Sequence, residues 1–96
     1  MTHDDLIEKY REPLFTNELG KETLTYLEIP ESWYPLVDVL CGQIVSYLKQ
    51  NSNACPMFAV QIKEKFGGLR FYTVGGDEYT EGLIDMAEAY SFIVSL

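Results

Sequence analysis

The 96-residue chain is poor in the groups on which most catalytic and metal chemistry rests. It has one histidine, His3, close to the start, which reads as a surface residue of a mobile terminus rather than a general base. Its two cysteines, Cys41 and Cys55, stand fourteen positions apart in no Cys-x-x-Cys pair. Neither a disulfide framework nor a four-ligand zinc site is supported, and both read as small buried hydrophobes. There is no Ser-His-Asp set, no glycine loop leading to a phosphate-binding lysine, and no His-Glu pair at metal spacing. An enzyme is not expected, and no cofactor or metal is implied. No run approaches the ~20 apolar residues of a membrane span. The polar start Met1-Thr2-His3-Asp4-Asp5 is unlike a secretory leader, so a cytoplasmic protein with no membrane contact is the expectation. Cations are scarce as well: 7 Lys and Arg against 15 Asp and Glu give a net charge of -8. Such a surface repels phosphate on average, which argues against generic nucleic-acid binding.

What is present suits one small domain over residues 1-96: 47% of the chain is hydrophobic, enough for a single modest core. Thr2 or Asp4 caps a first helix carrying Leu6, Ile7, Tyr10 and Leu14 at helical spacing, with Pro13 where it frays. Residues 16-30 are irregular, with Leu24, Tyr26, Leu27 and Ile29 as core or interface anchors. Ser32 is the expected cap of a second helix with Pro35 in its first turn and Leu36, Val37, Leu40, Ile44, Tyr47 and Leu48 on one face. Thr80 caps a third, whose apolar stripe is Leu83, Ile84, Ala87, Tyr90 and Val94.

Between the second and third helices, Phe58 to Phe66 and Leu69 to Val74 read as the strands of a hairpin turning at Gly67-Gly68. That turn sets Lys65 opposite Arg70, Glu64 opposite Phe71, Lys63 opposite Tyr72 and Gln61 opposite Val74. One face then carries Phe58, Val60, Ile62, Phe66, Leu69 and Phe71, a core face. The other carries Gln61, Lys63, Lys65, Arg70 and Tyr72. The expected class is α+β, three helices packed on a small antiparallel hairpin or sheet. A two-stranded sheet is marginal alone and 13 aromatics are many to bury here, so a homo-oligomer is expected.

The second face is out of keeping with the chain. Residues 56-74 hold Lys63, Lys65 and Arg70 against Glu64 alone, a local +2, while the rest sets 4 cations against 14 carboxylates for -10. Like charges opposed across strands repel unless an anion lies between them. Either an internal carboxylate such as Asp38 or an acid of the third helix neutralises the patch, or an external anion does. In the second case Arg70 supplies a planar fork for phosphate, Lys63 and Lys65 point charges, and Tyr72 a stacking face. Gly67 and Gly68 would let backbone N–H groups approach, Gln61 lines the same face, and Trp33 could add an aromatic wall, although a hydrophobic anchor is the commoner role for it. Glu64, near the hairpin tip, reads as an acid paired with a lysine rather than a catalytic carboxylate.

The run Gln61 to Tyr72, with its KEKFGGLRFY core, resembles the signature of a family of small phage and bacterial proteins. The segment Ile29-Pro30-Glu31-Ser32-Trp33-Tyr34-Pro35-Leu36-Val37 is similar to that family's P-x-x-W-x-P-L segment, and with Ala87 and Glu88 the likeness spans roughly residues 29-90. Many relatives continue into a short cysteine-rich piece resembling a zinc knuckle; this sequence ends at Ser91-Phe92-Ile93-Val94-Ser95-Leu96 without a cysteine pair, so no metal role carries over. The resemblance implies a phage-associated setting. The resulting expectation is a phage counter-defence protein that binds a small anionic nucleotide immune signal and sequesters it without catalysis. The alternative is an acidic inhibitor of a host defence protein in a nucleic-acid-handling complex, anti-CRISPR-like, presenting Glu78, Glu81, Asp85 and Glu88 as a row on the third helix.

Overall fold

The hydroxyl of Thr2 accepts the Asp5 N–H at 3.1 Å and the Asp5 carboxylate accepts the Thr2 N–H at 2.9 Å, a reciprocal cap that starts helix α1, His3–Leu14. Pro13 forces the preceding Glu12 out of helical geometry (φ -114°, ψ 132°), which frays the last turn. The computed structural model describes residues 1–94. After α1 come strand β1, Tyr26–Glu28, a 3₁₀ turn at Glu31–Trp33, helix α2, Tyr34–Gln50, strands β2, Met57–Lys65, and β3, Gly68–Gly75, and helix α3, Glu78–Ser91.

Two caps differ from expectation. Ser32 lies inside the 3₁₀ turn rather than capping α2, which begins without a side-chain cap and tolerates Pro35 because a first-turn N–H has no helical partner anyway. Asp77, not Thr80, is the N-cap of α3: its carboxylate accepts the Thr80 N–H at 3.1 Å and the Thr80 hydroxyl accepts the Asp77 N–H at 2.9 Å.

The class is α+β, with three helices and a three-stranded sheet among the described residues, but the sheet is mixed rather than purely antiparallel. β1 pairs in parallel with β2 (Tyr26 with Gln61, Leu27 with Ile62, Glu28 with Lys63), and α2 supplies the long crossover that parallel neighbours require. β1 lies inside the segment expected to be irregular. Three residues are too few for alternation to announce a strand, although Leu27 turns inward between exposed Tyr26 and Glu28. The third strand removes the marginal two-stranded sheet on which part of the expectation of an oligomer rested.

The hairpin turns one residue earlier than the glycine pair suggests. Phe66 (φ 55°) and Gly67 (φ 83°) form the two-residue connection, and Lys65 faces Gly68. Lys63 therefore opposes Arg70, and Gln61 opposes Tyr72. The error in register is two residues, an even number, so the strand side chains Gln61 to Lys65 and Leu69 to Tyr72 stay on their expected faces. The first half of β2 does change face. An irregularity between Ala59 and Gln61 inserts one residue, so Met57 and Ala59 point into the core and Phe58 and Val60 do not. Phe66, expected in the core, is 87% exposed at the hairpin tip.

The core gathers Leu6, Tyr10 and Leu14 from α1, Val37, Leu40, Cys41 and Ile44 from α2, and Ile84 and Ala87 from α3 against Ile62, Leu69 and Phe71. Cys41 is buried as expected and its thiol pKa is pushed up by burial, whereas Cys55 is exposed. Tyr90, expected in the α3 stripe, is also exposed; the buried positions are Thr80, Ile84, Ala87 and Ser91. α3 serves the free edge of β3: the Ser91 hydroxyl accepts the Leu69 N–H and the Glu88 carboxylate accepts the Phe71 N–H, both at 2.9 Å. The Phe92 ring fills the space over Gly68, where a Cβ would stand 2.3 Å from it.

Ser91→Ala leaves the buried Leu69 N–H without a partner and is expected to cost about 1–3 kcal/mol in urea denaturation. Phe66→Asn should do the reverse, relieving about 1 kcal/mol of left-handed backbone strain and raising the thermal midpoint by about 4–8 °C.

Candidate functional site: the solvent face of the sheet

Alternation along the three strands fixes which side chains share the outer face of the sheet. Parallel pairing sets Tyr26 beside Gln61 and antiparallel pairing sets Gln61 beside Tyr72, giving a row Tyr26–Gln61–Tyr72 across the sheet. The next row is Glu28–Lys63–Arg70, and Lys65 opposes Gly68 beyond it. At about 4.8 Å between strands, each three-residue row spans about 10 Å, and successive rows on a face lie about 6.6 Å apart. Tyr26, Glu28, Lys65 and Tyr72 are exposed, and Gln61, Lys63 and Arg70 are half-buried.

Lys63 and Arg70 stand directly opposed, a like-charge pair that costs a few tenths of a kcal/mol in the absence of an anion. Among the described residues none of Lys63, Lys65 and Arg70 forms an ion pair; the lysine and arginine pairs present are Lys9–Asp38, Arg11–Glu8 and Arg11–Glu22. Arg70 donates once, from Nη1 to the Leu69 carbonyl at 3.0 Å, and this is its one protein acceptor among the described residues. The Lys63 ammonium sits 5.5 Å from the centroid of the Tyr72 ring, so charge and π face are presented together. Glu28, the one carboxylate on the face, accepts the Tyr26 hydroxyl at 2.6 Å. That bond pushes the Tyr26 phenol pKa up.

The internal anions that could have neutralised the patch are engaged elsewhere. Asp38 accepts from the Tyr10 hydroxyl at 2.5 Å and from Lys9 at 2.9 Å, across the α1–α2 contact. The bond from Tyr10, then the one from Lys9, hold its carboxyl below the usual 3.8, while burial, followed by the Asp38 bond, raises the Tyr10 phenol. Glu88 is tied to the Phe71 N–H, which takes it out of the acidic row and leaves Glu78, Glu81 and Asp85 exposed.

Three expected ligand positions are corrected. Gly67 offers no free N–H, because the exposed Glu64 carboxylate accepts it at 2.6 Å; Glu64 thus closes the turn instead of pairing with a lysine. Gly68 is buried beneath Phe92 and faces Lys65 in the ladder, so it presents no anion cradle. Trp33 has 0% exposure and directs its indole nitrogen at the Val94 carbonyl, 3.5 Å away, so it anchors the core and has no face to stack on a ligand. His3, expected to be mobile, donates from Nε2 to the Leu27 carbonyl at 2.8 Å and ties α1 to the edge of β1.

Gln61, Lys63, Lys65, Arg70 and Tyr72 are brought together on the outer face, as expected. Sequence reasoning missed Tyr26 and Glu28, whose only signal is the out-in-out pattern around Leu27. A hollow of about 420 Å³ beside them is lined by Tyr26, Glu28, Ile29, Pro30 and Glu64. A wider one of about 480 Å³, between the end of α1 and the α2–β2 loop, includes Glu12 and Glu18 but no cation and does not suit an anion. Among the described residues no group of three His, Cys, Asp or Glu side chains could hold a metal, and no helix is long and apolar enough to cross a membrane.

Asp38 gives a pH signature separate from the sheet face. Because its folded pKa is depressed, its stabilisation is complete above the ordinary value of 3.8 and is lost as pH falls through the lower folded value. Asp38→Asn should therefore be less stable than the parent near pH 7, the difference closing on the acid side of 3.8 in urea denaturation across pH.

No family model, curated protein or solved structure matches the chain.

Proposed function

We propose that the protein is a non-catalytic binding module that holds a small phosphorylated, nucleotide-type ligand on the outer face of its sheet. The observation that carries this reading is the set of three cations, Lys63, Lys65 and Arg70, left without a carboxylate partner among the described residues of a chain of net charge -8. Desolvating and opposing cations is unfavourable by itself, and a phosphate between them reverses the sign of that cost. Arg70, with one protein acceptor, keeps donors for a bidentate contact; Lys63 adds charge beside the Tyr72 ring, where a base can stack. The restriction of positive charge to one face favours a compact ligand over a long nucleic acid, whose further phosphates would meet the acidic remainder.

In the phage setting that the resemblance implies, such binding withdraws a signalling nucleotide from a host defence system, and assembly into a homo-oligomer would multiply the sites. Calorimetry with cyclic di- and trinucleotides and ADP-ribose tests the reading. At least one should bind, Arg70→Ala should weaken it about 10- to 100-fold by removing a charged hydrogen bond of about 1.5–3 kcal/mol, and Arg70→Lys should not restore it. Absence of binding by every ligand, or equal binding by Arg70→Ala, contradicts it.

A further inference from the structure

The row Tyr26–Gln61–Tyr72 goes beyond anion binding. We infer that it is a base clamp for a nucleotide, with Tyr26 and Tyr72 as walls and Gln61 as floor; the inference rests on the binding reading above.

Tyr26 and Tyr72 come from the two outer strands and flank Gln61 on the middle one, so their backbones stand two strand spacings, about 10 Å, apart. An aromatic base between them can pair with either ring at the 4.5–7 Å centroid spacing of aromatic pairs. Both rings are open to such a visitor: Tyr26 is 43% and Tyr72 40% exposed. The hydroxyl of Tyr26 is tethered to Glu28, which fixes one wall before anything binds.

The floor supplies the polar contact to the base. A glutamine amide offers one acceptor and a pair of donors, and it can turn to match the acceptor–donor edge of adenine, cytosine or guanine. Gln61 makes no side-chain hydrogen bond to any other described residue that would use up this capacity. One row along, about 6.6 Å away, lie Lys63 and Arg70 for the phosphates, with Lys65 beyond them. Glu28, the remaining member of that row, repels phosphate and accepts from ribose hydroxyls, which fixes the polarity of the ligand across the face.

Equilibrium binding of ADP, GDP, CDP and inorganic pyrophosphate to the full chain separates the clamp from the anion site. ADP, GDP and CDP are each expected to bind about tenfold or more tightly than pyrophosphate, in keeping with base stacking. Tyr26→Ala should bring ADP down to the level of pyrophosphate while leaving pyrophosphate unchanged, and Tyr26→Phe, which keeps the ring, should retain tight ADP binding. Gln61→Leu should weaken ADP while leaving pyrophosphate unchanged. Circular dichroism of each variant establishes that it is folded. Binding of pyrophosphate and ADP with equal affinity, both dependent on Arg70, overturns the clamp and leaves the anion site standing. Failure of all four probes to bind also overturns the clamp, while the anion-binding reading stands or falls by the cyclic nucleotides and ADP-ribose.

Discussion

The phase of the β2–β3 hairpin governs everything that follows from this fold. A two-residue turn at Phe66-Gly67, with both residues at positive φ, and an extra residue between Ala59 and Gln61 together determine which side chains meet the core. With this phase Met57, Ala59, Ile62, Leu69 and Phe71 are buried, and Gln61, Lys63, Lys65, Arg70 and Tyr72 are gathered on the outside. A slip by one residue would bury Lys63 and Arg70 and expose Ile62 and Phe71, at a cost of several kcal/mol for each unpaired buried charge. The electrostatic character of the outer face is thus a consequence of the same constraint that makes the core.

The two edges of the sheet are handled differently. At β3 the outward N–H groups of Leu69 and Phe71 are met by Ser91 and Glu88 of α3, and Phe92 closes over Gly68. This blunts the edge as a template for further strands. At β1 a single contact, from His3 to the Leu27 carbonyl, performs the corresponding service. The sheet therefore has one strongly sealed side, one lightly covered side and a charged outer face, and the three cations of the last have no ion-pair partner among the described residues.

Much of this was legible in the sequence. The amphipathic periodicity of α2, the hairpin and the membership of the basic face follow from spacing alone, because an even register error leaves the two faces unchanged. The turn itself was misplaced because a phenylalanine at φ 55° is a rare choice, and Gly67-Gly68 offers the more ordinary solution. The reversal of Met57 to Val60 was hidden because an irregularity of one residue leaves no mark in composition. β1 escaped because three residues hold too little pattern, and with it went Tyr26 and Glu28, the parts of the face contributed by a distant segment. Trp33 shows the converse: an aromatic next to two prolines attracts a binding role, but Pro30 and the 3₁₀ turn direct it inward.

The central claim is that the Lys63–Arg70 pair is completed by an anion from outside the chain. Chain-internal controls exist, since Lys9 and Arg11 already hold Asp38, Glu8 and Glu22. Titration of the protein with ADP, followed by nitrogen NMR of the arginine and lysine side chains, compares the two groups in one experiment. The account predicts that the Arg70 guanidinium and the Lys63 ammonium shift together and saturably, with Lys9 and Arg11 unmoved. An Arg70 signal that stays in place, or one that moves no more than those of Lys9 and Arg11, would contradict it.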